Sequence, residues 1–229
     1  MKNIIKYILL PIFLCGIFSS VSLAEVVRID FDIVFSDGST HPKLDTPWLS
    51  VIIDDHDAVG SVTMTFQTNT GVDTGLSDPE TLAGVYLNLD SDISTDSLEF
   101  NYITDGSTGP KANQIHVGID AYKADGDGYY DLLFDFPPPP GNNKFNAGET
   151  VVYQITGEGL VADSFVYWSN SEGSEWGPYI AAAKILSTGD NGSGSAWIAS
   201  EMSAVPVPAG ILMFLPSIVG IAAIGRRRN

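Results

Sequence analysis

Three stretches of the chain bring together side chains that could do chemistry. In Asp54-Asp55-His56-Asp57, carboxylates stand beside an imidazole, a pairing that binds divalent metals or moves protons when the groups converge on one point. Neighbours on an extended backbone point to opposite faces, however, and this run falls between two strand-like segments, so a solvated hairpin turn is the expected reading. In ADGDGYYD, the side chains of Asp125, Asp127 and Asp131 have part of the spacing of a calcium loop. A hard cation wants several oxygen ligands from a tight turn, and Gly126 and Gly128 let a backbone turn inside such a ring. Lys123 stands where the loop needs a further acid, which leaves a Gly-rich hairpin with solvated acids as the alternative to a calcium site. The third stretch, Pro137 to Pro140, cannot pair in a sheet and reads as a rigid connection.

Outside these stretches the chemistry is sparse. His41 and His56 fall in loops, His116 on a strand, and no HExxH, Walker loop, GxSxG elbow or zinc spacing occurs. Four rings, Tyr167, Trp168, Trp176 and Tyr179, cluster around SEGSEWGPY. A loop of this kind can present rings to a sugar, although rings near strand ends usually belong to a core.

What must position these groups follows from patterning. In VRIDFDIVF, the residues Val27, Ile29, Phe31, Ile33 and Phe35 alternate with Arg28, Asp30 and Asp32, which predicts one half-buried strand. The same period of two recurs in WLSVIID, SVTMTFQT, GVYLNLD, LEFNY, IHVGIDAY, YYDLLFDF, TVVYQIT, DSFVYWS, PYIAAAKIL and SAWIAS. Turn pairs such as Asp37-Gly38, Asp105-Gly106 and Asn191-Gly192 separate them. About eleven short strands without a convincing amphipathic helix predict an all-β fold, an antiparallel two-sheet β-sandwich of jelly-roll kind, with a closed barrel as the competing architecture. The Ala181-Ala182-Ala183 run, flanked by Tyr179, Ile180, Ile185 and Leu186, is expected to be a strand buried on both faces.

Charge and the two ends bear on location. The chain has 28 acidic and 11 basic residues, a net charge of -17, which repels phosphate backbones and excludes nucleic acid as an expected partner. At the start, Lys2 and Lys6 precede an apolar stretch from Ile8 to Phe18 and a small-x-small site, Ser22-Leu23-Ala24, the layout of a secretory signal peptide over residues 1 to 24. Signal peptidase would then cut between Ala24 and Glu25, and the only cysteine, Cys15, would be discarded. At the other end, Val205-Pro206-Val207-Pro208-Ala209 leads into an apolar run of 17 residues ending at Gly225, followed by Arg226, Arg227 and Arg228. A helix of that length rises about 25 Å, a marginal membrane span, and its arginines would stay cytoplasmic. Residues 25 to 204 between these ends form the expected sandwich domain, with six basic against 28 acidic residues, a net of -22.

The motif Val205, Pro206, Pro208 and Ala209, the short span and the terminal arginines together resemble the PEP-CTERM sorting signal over residues 205 to 229. That signal is found on secreted proteins of Gram-negative bacteria that make exopolysaccharide. The resemblance implies an exosortase as processing partner, transient anchoring in the inner membrane, and delivery to the cell surface or extracellular matrix. The stretches PWLSVIIDD, GSVTMTF, KADGDGYYDLLFDFP, FNAGETVVYQITGEGL and GPYIAAAKI resemble in layout a group of PEP-CTERM proteins, a likeness that brings no activity with it. The functional expectation is a non-enzymatic secreted protein of the surface or biofilm matrix, with a carbohydrate-binding, lectin-like module, assisted by calcium, as the alternative. Exposed rings gathered on one sheet face or loop end would favour binding; a uniformly acidic exterior would favour the passive role.

Overall fold

Apolar residues at every second position, broken by Gly, Pro and Asp, form strands wherever one side can be kept dry. In the computed structural model, which describes residues 25–35, 41–141 and 143–201, those strands build two antiparallel sheets. The strands are β1 Val26–Phe31, β2 Ile33–Phe35, β3 Leu49–Asp54, β4 Ser61–Thr68, β5 Thr81–Leu87, β6 Glu99–Ile103, β7 Gln114–Ala124, β8 Gly128–Asp135, β9 Phe145–Asn146, β10 Thr150–Thr156, β11 Ala181–Thr188 and β12 Gly194–Ser200. One sheet has the order β1-β3-β4-β10-β6; the other runs β2-β12-β11-β5-β8-β7, with the short β9 also paired to β5. The expected all-β sandwich is what these residues form. The signal segment with Ala24, and the sorting segment with Val205, Pro206, Pro208, Ala209, Arg226, Arg227 and Arg228, lie outside the described residues, as does the Asp37-Gly38 turn.

The core lies between the sheets. Register places Val51 opposite Phe66, Phe66 opposite Val151 and Met64 opposite Tyr153, so neighbouring strands turn their apolar residues to the same side. From the facing sheet, Phe134 reaches Phe66 at a ring separation of 4.7 Å and Tyr153 at 5.5 Å, tilted arrangements that aromatic quadrupoles favour. The triple-alanine strand is buried on both faces, as expected: Ala181, Ala183 and Ile185 join the core, and Ala182 joins a second cluster. That second cluster, with Phe35, Tyr130, Tyr179 and Ala199, packs against Tyr86 and Trp197 on the side of the seven-stranded sheet turned away from its partner.

Two expectations are corrected. VRIDFDIVF is not one strand: β1 belongs to the five-stranded sheet and β2 to the seven-stranded one, and between them the Asp32 N–H donates to the Ala199 carbonyl at 3.2 Å. Because the sheets face one another, the side that points inward from one points outward from the other, so Val34 packs on the core while Ile33 and Phe35 go to the outer cluster. DSFVYWS forms no strand either. Its start is a 3-10 turn, Ala162–Phe165, with Ala162 and Phe165 both fully buried at three-residue spacing. The Ser164 hydroxyl accepts the Val161 N–H at 3.1 Å, offering the backbone a local partner in place of a sheet ladder.

Candidate functional site

In the acidic turn, adjacent carboxylates are taken up by neighbouring backbone and side-chain groups. Asp54 ends β3 and residues 55–57 begin the link to β4, with His56 and Asp57 at positive φ. Asp54 accepts the His56 N–H at 2.8 Å and stands 3.2 Å from its ring, while His56 Nε2 lies 3.0 Å from the Thr63 hydroxyl. Asp55 turns inward instead, accepting the Glu25 N–H at 3.0 Å and the Asp57 N–H at 3.2 Å. The acids hold the turn and point apart.

Asp125, Asp127 and Asp131, the expected calcium ligands, stand in three separate settings. Asp125 is exposed at a φ of 48° in the β7–β8 turn. Asp127 is fully buried and bonds to the Tyr130 hydroxyl and, at 3.4 Å, to that of Ser169. Asp131 accepts two backbone N–H groups, from Leu89 at 2.9 Å and Asp120 at 2.8 Å. Three carboxylates on one hairpin are thus drawn into three different surroundings, and among the described residues no three His, Cys, Asp or Glu side chains are placed to share a metal ion. Burial pushes the Asp127 carboxyl up to about 6, against the pull of its two hydroxyl partners, and the Tyr130 hydroxyl is raised by burial and by Asp127. Gly177, at φ 79°, packs so close to Asp127 that any Cβ there would collide with the carboxylate.

Asp131 instead forms the floor of a cleft of about 240 Å³. Its walls come from the chain after β5 (Asn88, Asp90), a distortion in β7 (Ile119, Asp120) and the loop carrying Tyr167, Trp168 and Asn170. The distortion breaks the β7–β8 register between Val117 and Tyr122 and puts Asp120 at a φ of 47°, so Ile119, which alternation would turn the same way as Val117, is 75% exposed. Asn170 Nδ2 donates to Asp120 Oδ2 at 2.9 Å, and Asn88 Nδ2 donates to the Tyr167 carbonyl at 3.1 Å, which ties the walls together. Asp90 accepts the Asp92 N–H at 2.9 Å and the Tyr167 hydroxyl at 2.6 Å; these two bonds hold its carboxyl below the usual range, and the bond to Asp90 raises the Tyr167 hydroxyl.

The four rings singled out in the sequence divide here. Tyr179 and Trp176 pack in the outer aromatic cluster, whereas Tyr167 and Trp168 are 41% and 56% exposed at the cleft. Six large apolar side chains are strongly exposed among the described residues, and three of them, Ile119, Tyr167 and Trp168, line this one cleft. Sequence reasoning missed Asn88, Asp90 and Asn170; the single local signal was Gly118 inside an otherwise alternating strand, a mark of a bulge. No protein-family model, curated protein or solved structure matches the chain.

Proposed function

We propose that the protein is exported through its N-terminal signal, held briefly in the inner membrane by residues 205 to 229, and released by an exosortase to the cell surface or exopolysaccharide matrix, where its jelly-roll-like sandwich binds a saccharide. The observation that carries the binding step is the gathering of Ile119, Tyr167 and Trp168 around a cleft whose polar lining is carboxylate, amide and hydroxyl. A pyranose ring has an apolar C–H face that stacks on aromatic carbon and a rim of hydroxyls that bond to such acceptors and donors. Asp90, Asp120 and Asp131 line the cleft and no basic side chain does, so neutral or amine-bearing sugars fit and uronic acids are repelled.

Binding without turnover is the simpler chemistry for this lining. Both oxygens of Asp90 and both of Asp131 already accept hydrogen bonds from the protein, and the lowered Asp90 carboxyl is no general acid at neutral pH. Asp127, whose carboxyl burial pushes up to about 6, is fully buried and is not part of the lining.

A panel of neutral, amino and uronic oligosaccharides tested on the purified full-length protein decides the matter. Expected is binding of a neutral or amino member that weakens about tenfold or more in Trp168→Ala, a loss of roughly 1.4 kcal/mol, close to what one aromatic stacking partner contributes. A folded protein that binds no member, or binds equally after the substitution, overturns the assignment.

A further inference from the structure

At the opposite end of the first strand pair, one nitrogen has a setting suited to a charge it does not yet carry. The backbone N–H of Glu25 donates to Asp55 Oδ1 at 3.0 Å, and the Asp55 N–H returns to the Glu25 carbonyl at 3.3 Å. This reciprocal pair extends the β1–β3 ladder, whose last register pair is Val26 and Asp54, so the sheet itself fixes where the Glu25 nitrogen sits. Asp55 is only 7% exposed, and its Oδ1 also receives the Asp57 N–H.

The surroundings are short of positive charge. The Glu25 side chain hydrogen-bonds to Asp163, and its carboxyl is raised by burial, then by the charge of Asp163 and that of Asp55. The turn adds Asp54 and Asp57, and its one basic group, His56, is engaged with Asp54 and Thr63. A carboxylate with little access to water, beside further acids, gains most from a cation placed at hydrogen-bond distance.

We infer that Asp55 is the built seat of the mature chain's own α-ammonium group, so that removal of the leader creates an ion pair at a site the sheet has already shaped. Hydrolysis breaks the C–N bond between Ala24 and Glu25. Water supplies the hydroxyl that completes the Ala24 carboxyl and the hydrogen that completes the Glu25 amine, which then takes a proton from solvent. A neutral amide donor thereby becomes a charged one without moving. The inference rests on the export reading above, and specifically on cleavage after Ala24.

The sign of its pH dependence follows from linkage. Asp55 favours the protonated amine, raising its pKa in the folded state above the ordinary value of about 8, so the added stability is complete below that value and is lost as pH rises through the raised one. The charged groups around the Glu25 nitrogen are its own carboxyl, Asp55 and Asp163, with Asp54, His56 and Asp57 in the adjoining turn.

The test compares the exported protein, its first residue identified by N-terminal sequencing, with the same chain carrying Ala24 as one extra residue. Below about pH 7 the Glu25-initiated form should melt about 2 to 4 °C higher, a gap that closes above about pH 10 and is absent in Asp55→Asn. Should that substitution prevent folding, titration of the amine in the unaltered protein by ¹⁵N NMR replaces it, with a pKa above about 8 expected. A first residue other than Glu25 overturns the cleavage and the ion pair together. Cleavage after Ala24 with equal melting of the two forms, a gap that persists in Asp55→Asn, or an unshifted amine overturns the ion pair alone.

Discussion

The two faces of the seven-stranded sheet do different work with similar materials. Toward the other sheet, β5, β8, β11 and β12 present Val85, Leu132, Phe134, Ile185 and Ile198, all fully buried and free of polar atoms. On the outer side lies a smaller aromatic layer that takes in hydroxyls: Tyr130 bonds to buried Asp127, and Lys184 lies 5.3 Å from the ring of its cross-strand neighbour Trp197. This layer also holds the loop that carries the cleft's rings. The Ser169 N–H donates to the Tyr179 carbonyl at 2.8 Å, the Tyr179 N–H returns to the Ser169 hydroxyl at 3.1 Å, and that hydroxyl reaches Asp127. The dry face supplies stability; the outer face exchanges some of it for directional bonds that place Trp168 and Asn170.

The difference can be broken most severely from the dry side. Phe66→Ala removes the ring that meets Phe134, Phe136 and Tyr153, and should cost about 3 to 5 kcal/mol in urea unfolding, because the surrounding sheets cannot collapse into the space. On the outer face Tyr130→Phe keeps the ring but leaves Asp127 without its strongest partner, for an expected loss of about 1 to 3 kcal/mol. A loss as large as that of Phe66→Ala would mean that the outer layer is part of the main core.

Asp127 sharpens the contrast through pH. Its carboxyl is raised to about 6 in the folded chain against about 4 unfolded, so its protonation stabilises the fold fully below about pH 4, and the benefit is lost as pH rises through about 6. Asp127→Asn is neutral throughout and should gain melting temperature relative to the unaltered protein on going from about pH 4 to about pH 7. Parallel melting curves over that range would show that the buried acid does not titrate there. The smallest stability effect is expected at the cleft rim. Trp168→Ala should stay within about 0.5 kcal/mol of the unaltered protein while losing saccharide affinity, because a ring 56% exposed contributes little to packing.

Strand positions were legible wherever one face is wet and the other dry. Val62, Met64 and Phe66, or Val151, Tyr153 and Ile155, alternate in sequence and are buried in the same alternation. The two-sided burial of the alanine strand was legible too, from apolar residues on both phases of the period. The turn at Ala162–Phe165 was not, because a 3-10 turn burying every third residue and a strand burying every second cannot be told apart over so few residues.

The sequence by itself determined the class of fold, the rough placement of most of its strands, and the acidic turns, since period-two alternation and Gly/Asp turn chemistry are properties of a few consecutive residues. Only the tertiary structure decided which sheet each strand joins, as the passage of the chain at Asp32 shows, and where the cleft lies. Asp131 reaches Leu89 across 42 residues, Asn170 reaches Asp120 across 50, and Tyr167 reaches Asp90 across 77. Each bond joins segments brought together by burial of the core between the sheets, and no local pattern encodes a hydrogen bond whose partners meet only after that burial.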